Sequence, residues 1–153
     1  MSKYEILVAI HVLMAVVWVG GNVMIQILAF RTLRADDSHQ LVLLSRNIEW
    51  VGTRVFMPAS VILLIFGIWA ASDANLDFGS PWITLGFVGF LASFLVGMGF
   101  LGPQSGKLAK VIEAEGEESP AAAAIIRRLL SVSRAELVLL LVVVVAMVGK
   151  WGA

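Results

Sequence analysis

Apolar residues in this chain fall into four long runs, at about residues 4–30, 53–71, 81–101 and 134–150, and polar and charged positions gather in the three connections between them. About 20 apolar residues at roughly 1.5 Å each cross the hydrocarbon core of a bilayer as a helix, so each run can serve as a span. The pattern predicts an all-α fold, a four-transmembrane-helix up-down bundle with cytoplasmic helical extensions, in one integral membrane domain over residues 1–153. The first run is not uniformly greasy. At 100° per residue, His11, Ala15, Trp18, Asn22 and Ala29 fall within roughly 40° of one another. Gly20 and Gly21 lie beside that face, where a second backbone or a flat ligand can come close. A polar stripe is costly in lipid, so this face is expected to point into the bundle and to be the functional surface.

The connections read as helical too. In the first, Asp36, Asp37 and Ser38 offer N-caps, and Leu41, Leu44, Ile48 and Val51 repeat at three or four, so a helix should run almost unbroken into the second span. Pro58 lacks an N–H and clashes with the carbonyl of Arg54, which predicts a kink there. Arg54 suits interfacial snorkelling or an internal ion pair. In the third span Gly86, Gly89, Ser93 and Gly97 form a groove, either for close helix packing or as a flat wall for a planar cofactor. Gly102 and Pro103 are expected to end that span. Ser119 and Pro120 then form an N-cap and N1 pair, and the last helix should run from there to about Lys150, beginning well outside the membrane. No internal repeat is evident.

Composition reinforces the membrane reading. The chain is 59% hydrophobic and 14% charged with mean hydropathy +0.93, against about 25% charged in soluble domains. Eleven basic and eleven acidic residues cancel, leaving no basic surplus for nucleic acid. The absence of cysteine excludes disulfides, thiolate metal sites and covalent haem attachment through C-x-x-C-H. The first run is too long for a signal peptide and lacks a cleavage site, which favours a retained span. Arg31, Arg34, Arg46 and Arg54 lie in the first connection and Lys107, Lys110, Arg127, Arg128 and Arg134 in the third, while the middle one has only Asp73 and Asp77. The positive-inside rule then puts both termini on the outer side of the membrane, with Trp69, Trp82 and Trp151 near one interface.

Chemistry candidates are few, with no nucleophile and base set, phosphate loop or paired-histidine metal motif. His39 reads as a helix-start residue, whereas His11 lies within a span, where packing, ligation and proton relay are all open. The string from His11 through Trp18 to Gly20 and Gly21 resembles the opening helix of a group of small bacterial membrane proteins. That group includes the DUF2269 family, HemJ-type protoporphyrinogen oxidases, CopD-like copper-resistance domains and PuuD-type urate oxidase membrane domains; length and layout are most similar to DUF2269. The resemblance implies a bacterial inner-membrane protein and, through the HemJ-type members, haem b with His11 as an axial iron ligand. On that reading Trp18, Gly20, Gly21 and Asn22 line the slot, and Met147, the nearest sulfur at the same depth, is a candidate sixth ligand unless water or a second copy's His11 serves. The implied function is a redox protein or oxidoreductase acting on a porphyrin, quinone or other electron carrier. The alternative is a non-catalytic accessory subunit or transport-related protein, for example for copper, packed in a homodimer or larger complex.

Overall fold

The first apolar run folds as a single helix, α1, Lys3–Ala35, whose buried residues are Leu7, Trp18 and Asn22. Val12, Leu13, Val16 and Met24 on its other sides are exposed, as suits side chains that meet acyl chains instead of water. The computed structural model describes residues 1–35 and 37–152, and no strand occurs among them. Asp36, one of the expected caps, lies outside the described residues. Asp37 caps α2, Ser38–Val51, by accepting from the backbone N–H groups of His39 at 3.0 Å and Gln40 at 3.2 Å.

Helix α2 passes through a π-helical turn, Gly52–Phe56, into α3, Met57–Asp73. After a short turn, α4, Pro81–Val96, passes through a second π-helical turn, Gly97–Leu101, into α5, Gly102–Glu115. Both turns close in the same way: Met57 N–H donates to the Gly52 carbonyl, and Gly102 N–H donates to the Gly97 carbonyl. Each precedes a proline, which has no N–H and presses on the carbonyl four residues back; widening the preceding turn by one residue relieves both problems. The helical path therefore continues through Pro58 by a π turn, and Gly102 and Pro103 begin α5 where the sequence suggested an end. The two sites share a glycine placed six residues before a proline, Gly52 with Pro58 and Gly97 with Pro103, a local repeat that the hydropathy pattern does not reveal.

Helix α6, Pro120–Gly149, is capped by the Ser119 hydroxyl, which accepts from Ala122 N–H, and runs uninterrupted as expected. The four helical rods that result, Lys3–Ala35, Ser38–Asp73, Pro81–Glu115 and Pro120–Gly149, are each long and apolar enough to cross a membrane. At roughly 1.5 Å per residue they measure about 45 to 54 Å, well beyond a core of about 30 Å, so they extend out of it.

Within the membrane layer α1 packs on α3 and α6, and α4 packs on α6. Glycines set the α4–α6 separation: a side chain at Gly86 would run into Met147, and one at Gly89 into Val143. Below, α2 and α5 pack on each other and α5 packs on α6, around a cluster of Leu41, Leu108, Ile112, Ala122 and Ile125. Arg46 donates to both carboxylate oxygens of Glu113, at 2.7 and 2.8 Å, between α2 and α5. Both partners are solvent-exposed, so the pair orients the helices more than it stabilises them. At the far end Lys3 pairs with Asp73, tying α1 to α3.

Candidate functional site

Three helices of the bundle converge on one carboxyl group. Glu136 on α6 is only 4% exposed. The Ser93 hydroxyl on α4 donates to its Oε1 at 2.6 Å, and the Asn22 side-chain amide on α1 donates to its Oε2 at 3.2 Å. Asn22 and Ser93 are buried as well. By helical rise Glu136 lies about 20 Å along α6 from Gly149, and Ser93 about 18 Å along α4 from Pro81, which puts the group inside a core of roughly 30 Å, toward the end where α2 and α5 pack. The partners of Glu136 are neutral. A bare carboxylate taken out of water costs several kcal/mol unless a cation or proton compensates it.

The carboxyl faces a cavity of about 120 Å³. Trp18, Phe56 and Phe94 line it, and Phe90 joins two of them: Trp18 meets Phe90 edge-on with ring centroids 5.5 Å apart, and Phe90 stacks on Phe94 at 5.9 Å. Its floor is the apolar cluster of the second layer, reached through Leu33, Leu41, Leu108, Ile126 and Leu129. Both π-helical turns contribute walls, and Gly52, Gly97 and Gly102 leave space there because they carry no side chain. A Cβ built on Gly52 meets nothing within 4 Å, and one on Gly97 would come to 3.6 Å from Glu136 Oε1. Among the described residues that line the cavity, Glu136 is the one titratable group. Gln26, one turn below Asn22, also lines it, and its Nε2 is buried without a hydrogen-bond partner. The amide's oxygen and nitrogen are interchangeable by a half-turn, so the same side chain can present an acceptor instead.

The face read from the first span does point inward, but its residues divide between two environments. Trp18 and Asn22 line the Glu136 cavity; His11, Gly20, Gly21 and Met147 are not among its lining residues. His11 is half-buried against α3, its Nδ1 2.9 Å from the Leu63 carbonyl and its ring where a Gly67 side chain would be. A carbonyl only accepts, so Nδ1 is the donor of this bond. Gly21 receives the edge of the Phe56 ring, Gly20 borders open space, and Met147 packs over Gly86 of α4. The structure thus does not bring His11 and Met147 to one cavity.

The central residue was not among the sequence candidates. Glu136 stands two residues after Arg134, so it reads as the polar margin of the last run. Glu5 and Glu136 are the two acids inside the predicted spans and both stand near a span's start, so position along the sequence does not single Glu136 out. Ser93 was noted for small size and acts through its hydroxyl.

No curated protein and no solved structure matches the chain. A family described as a predicted integral membrane protein, DUF2269, matches residues 5–151. With that match covering nearly the whole chain, and with four rods long enough to span a bilayer, the protein belongs to the DUF2269 family of integral membrane proteins.

Proposed function

We propose that the protein is a transport-related membrane protein whose working group is Glu136, which takes up and releases a proton inside the bundle. The observation that carries this reading is the Asn22–Glu136–Ser93 constellation: a buried carboxyl on a membrane-spanning helix, held by neutral donors from two other helices and facing a cavity. Ionisable groups at such depth are costly and typically mark proton or ion pathways. A proton is the smallest species that cancels the cost. Ser93 and Asn22 fix the carboxyl in one place whether or not it is protonated, because each donates to a different oxygen. Infrared difference spectroscopy of the protein in lipid tests this. A pH-dependent carboxylic-acid band is expected, absent from Glu136→Gln and shifted in Ser93→Ala. A spectrum in which Glu136→Gln removes no titrating band refutes the reading. In this proposal both termini lie on the outer side and the α2–α5 layer in the cytoplasm, because the basic residues of the connections gather in that layer.

His11 supports a second reading, a non-covalent haem b held by Nε2. Its Nδ1–H on the Leu63 carbonyl is the arrangement that commonly orients a metal-binding imidazole. Such a haem would supply one-electron chemistry, with water or a second copy's His11 as the other ligand, since Met147 is turned to α4. Protein expressed with ample haem should then show a Soret band that His11→Ala removes. A colourless protein sinks this reading, and one that also co-purifies with a larger complex supports the accessory-subunit role.

A further inference from the structure

Glu136 lacks a cationic neighbour, yet the space in front of it suits one. Trp18, one turn above Asn22, Phe56 from the first π turn and Phe94, one residue past Ser93, all line the same cavity as the carboxyl. Aromatic rings that line a pocket with a carboxylate favour organic ammonium groups, most effectively where water is excluded. Quaternary ammonium suits this site well, since the carboxyl's hydrogen bonds already come from Ser93 and Asn22 and charge is what it lacks. Below the aromatic level the walls are mostly aliphatic, through Ile48, Leu44, Leu101 and Leu129 down to Leu41 and Leu108, with Ser45, Ser105, Ser133 and the Gln26 amide set among them. The apolar side chains that predominate in this passage favour an alkyl chain.

We propose that the Glu136 cavity binds a lipophilic organic cation with a single apolar tail, in competition with the proton. The inference rests on the proton-binding reading above and adds the second ligand of the same carboxyl. When the cation enters, the acid O–H of Glu136 ionises, the carboxylate pairs with the ammonium, and one proton leaves to bulk water. Membrane potential aside, such competition is the thermodynamic core of proton-for-cation exchange.

Among the described residues no charged group besides Glu136 lines the cavity. On α1, His11 is turned to the Leu63 carbonyl and Lys3 pairs with Asp73; on α2, Arg46 pairs with Glu113 and the Glu49 carboxylate packs at Gly106. Arg54, Lys107 and Lys110 on the second and third rods are exposed, as is Arg134 on α6 itself. None of these lines the cavity.

The test uses the full chain in lipid nanodiscs, with decyltrimethylammonium as probe and decan-1-ol as its uncharged counterpart. Calorimetric titration should show saturable binding of the ammonium, weakening by up to about tenfold per pH unit where the acid form of Glu136 prevails, the limit for one proton displaced per cation. In weakly buffered solution, binding should release up to one proton. Glu136→Gln, which keeps the volume and the hydrogen-bonding capacity, should abolish proton release and weaken binding at least about tenfold; Trp18→Leu should weaken it several-fold while leaving proton release intact. Equal binding of the alcohol and the ammonium, or ammonium binding that is unchanged in Glu136→Gln, overturns the proposal. If the infrared acid band is present and the ammonium neither binds nor releases a proton, the cation inference falls while the proton reading stands; if the band is missing, both fall.

Discussion

Truncating Glu136 to alanine should destabilise the protein by about 2–4 kcal/mol, while glutamine at the same place should cost about 1 kcal/mol or less. Alanine leaves a void between α1, α4 and α6 and removes the acceptor of two buried donors. The Ser93 hydroxyl can recover by turning to a carbonyl one turn earlier in α4. The Asn22 amide has no such recourse, and a buried unpaired donor costs about 1–3 kcal/mol; the void supplies the remainder. Glutamine keeps the volume, accepts from Ser93, and meets Asn22 productively once the Asn22 amide turns over. Equilibrium unfolding in mixed micelles, titrated with a denaturing detergent, reads the three proteins on one scale. An alanine variant as stable as the parent would refute the reasoning. A more stable one would show that Glu136 sits in the fold as an uncompensated charge, whose removal is a relief.

Other outcomes follow from particular contacts. Gly89→Ala should destabilise by about 1–3 kcal/mol in the same assay because Val143 opposite it is β-branched and held to one rotamer in a helix, whereas Gly86→Ala should cost less because the Met147 tip can swing aside. The carboxyl of Asp37 is held below its ordinary 3.8, chiefly by the Gln40 backbone N–H, then by the Gln40 side chain, with a smaller contribution from His39. Its folded value lies below the unfolded one, so its stabilisation is full above the ordinary value and fades as pH falls through the folded value; the stability gap between parent and Asp37→Ala should close on acidification. Cysteine at Asp77 should react with an impermeant thiol reagent added to whole cells and cysteine at Glu117 should not; the reverse would invert the orientation.

The spans, their order and the helical nature of the connections were legible because lipid imposes long apolar runs and satisfied backbones, and both show in a single sequence. The inward face of α1 was legible for the same reason: Trp18 and Asn22 share a side at helical spacing and are both buried. What escaped depends on several helices at once. Glu136 acquires its meaning from Asn22 and Ser93, 114 and 43 residues away, and no periodicity within α6 points to them. The π turns escaped because proline alone predicts a kink, while the outcome is set by the glycine six residues earlier, which lets the helix widen. His11 drew attention through its place in a span, yet its partner is the Leu63 carbonyl on α3, which a pattern along α1 cannot anticipate.

The most direct test of the central claim is the carboxyl ¹³C resonance of Glu136 in protein labelled at glutamate, recorded in lipid across a pH series and assigned by its absence from Glu136→Gln. The account predicts a single carboxyl resonance that moves between acid and carboxylate positions with pH, and that shifts again when Ser93 is replaced by alanine. A resonance that stays at the carboxylate position throughout the range in which the protein remains folded, and ignores Ser93→Ala, would contradict it.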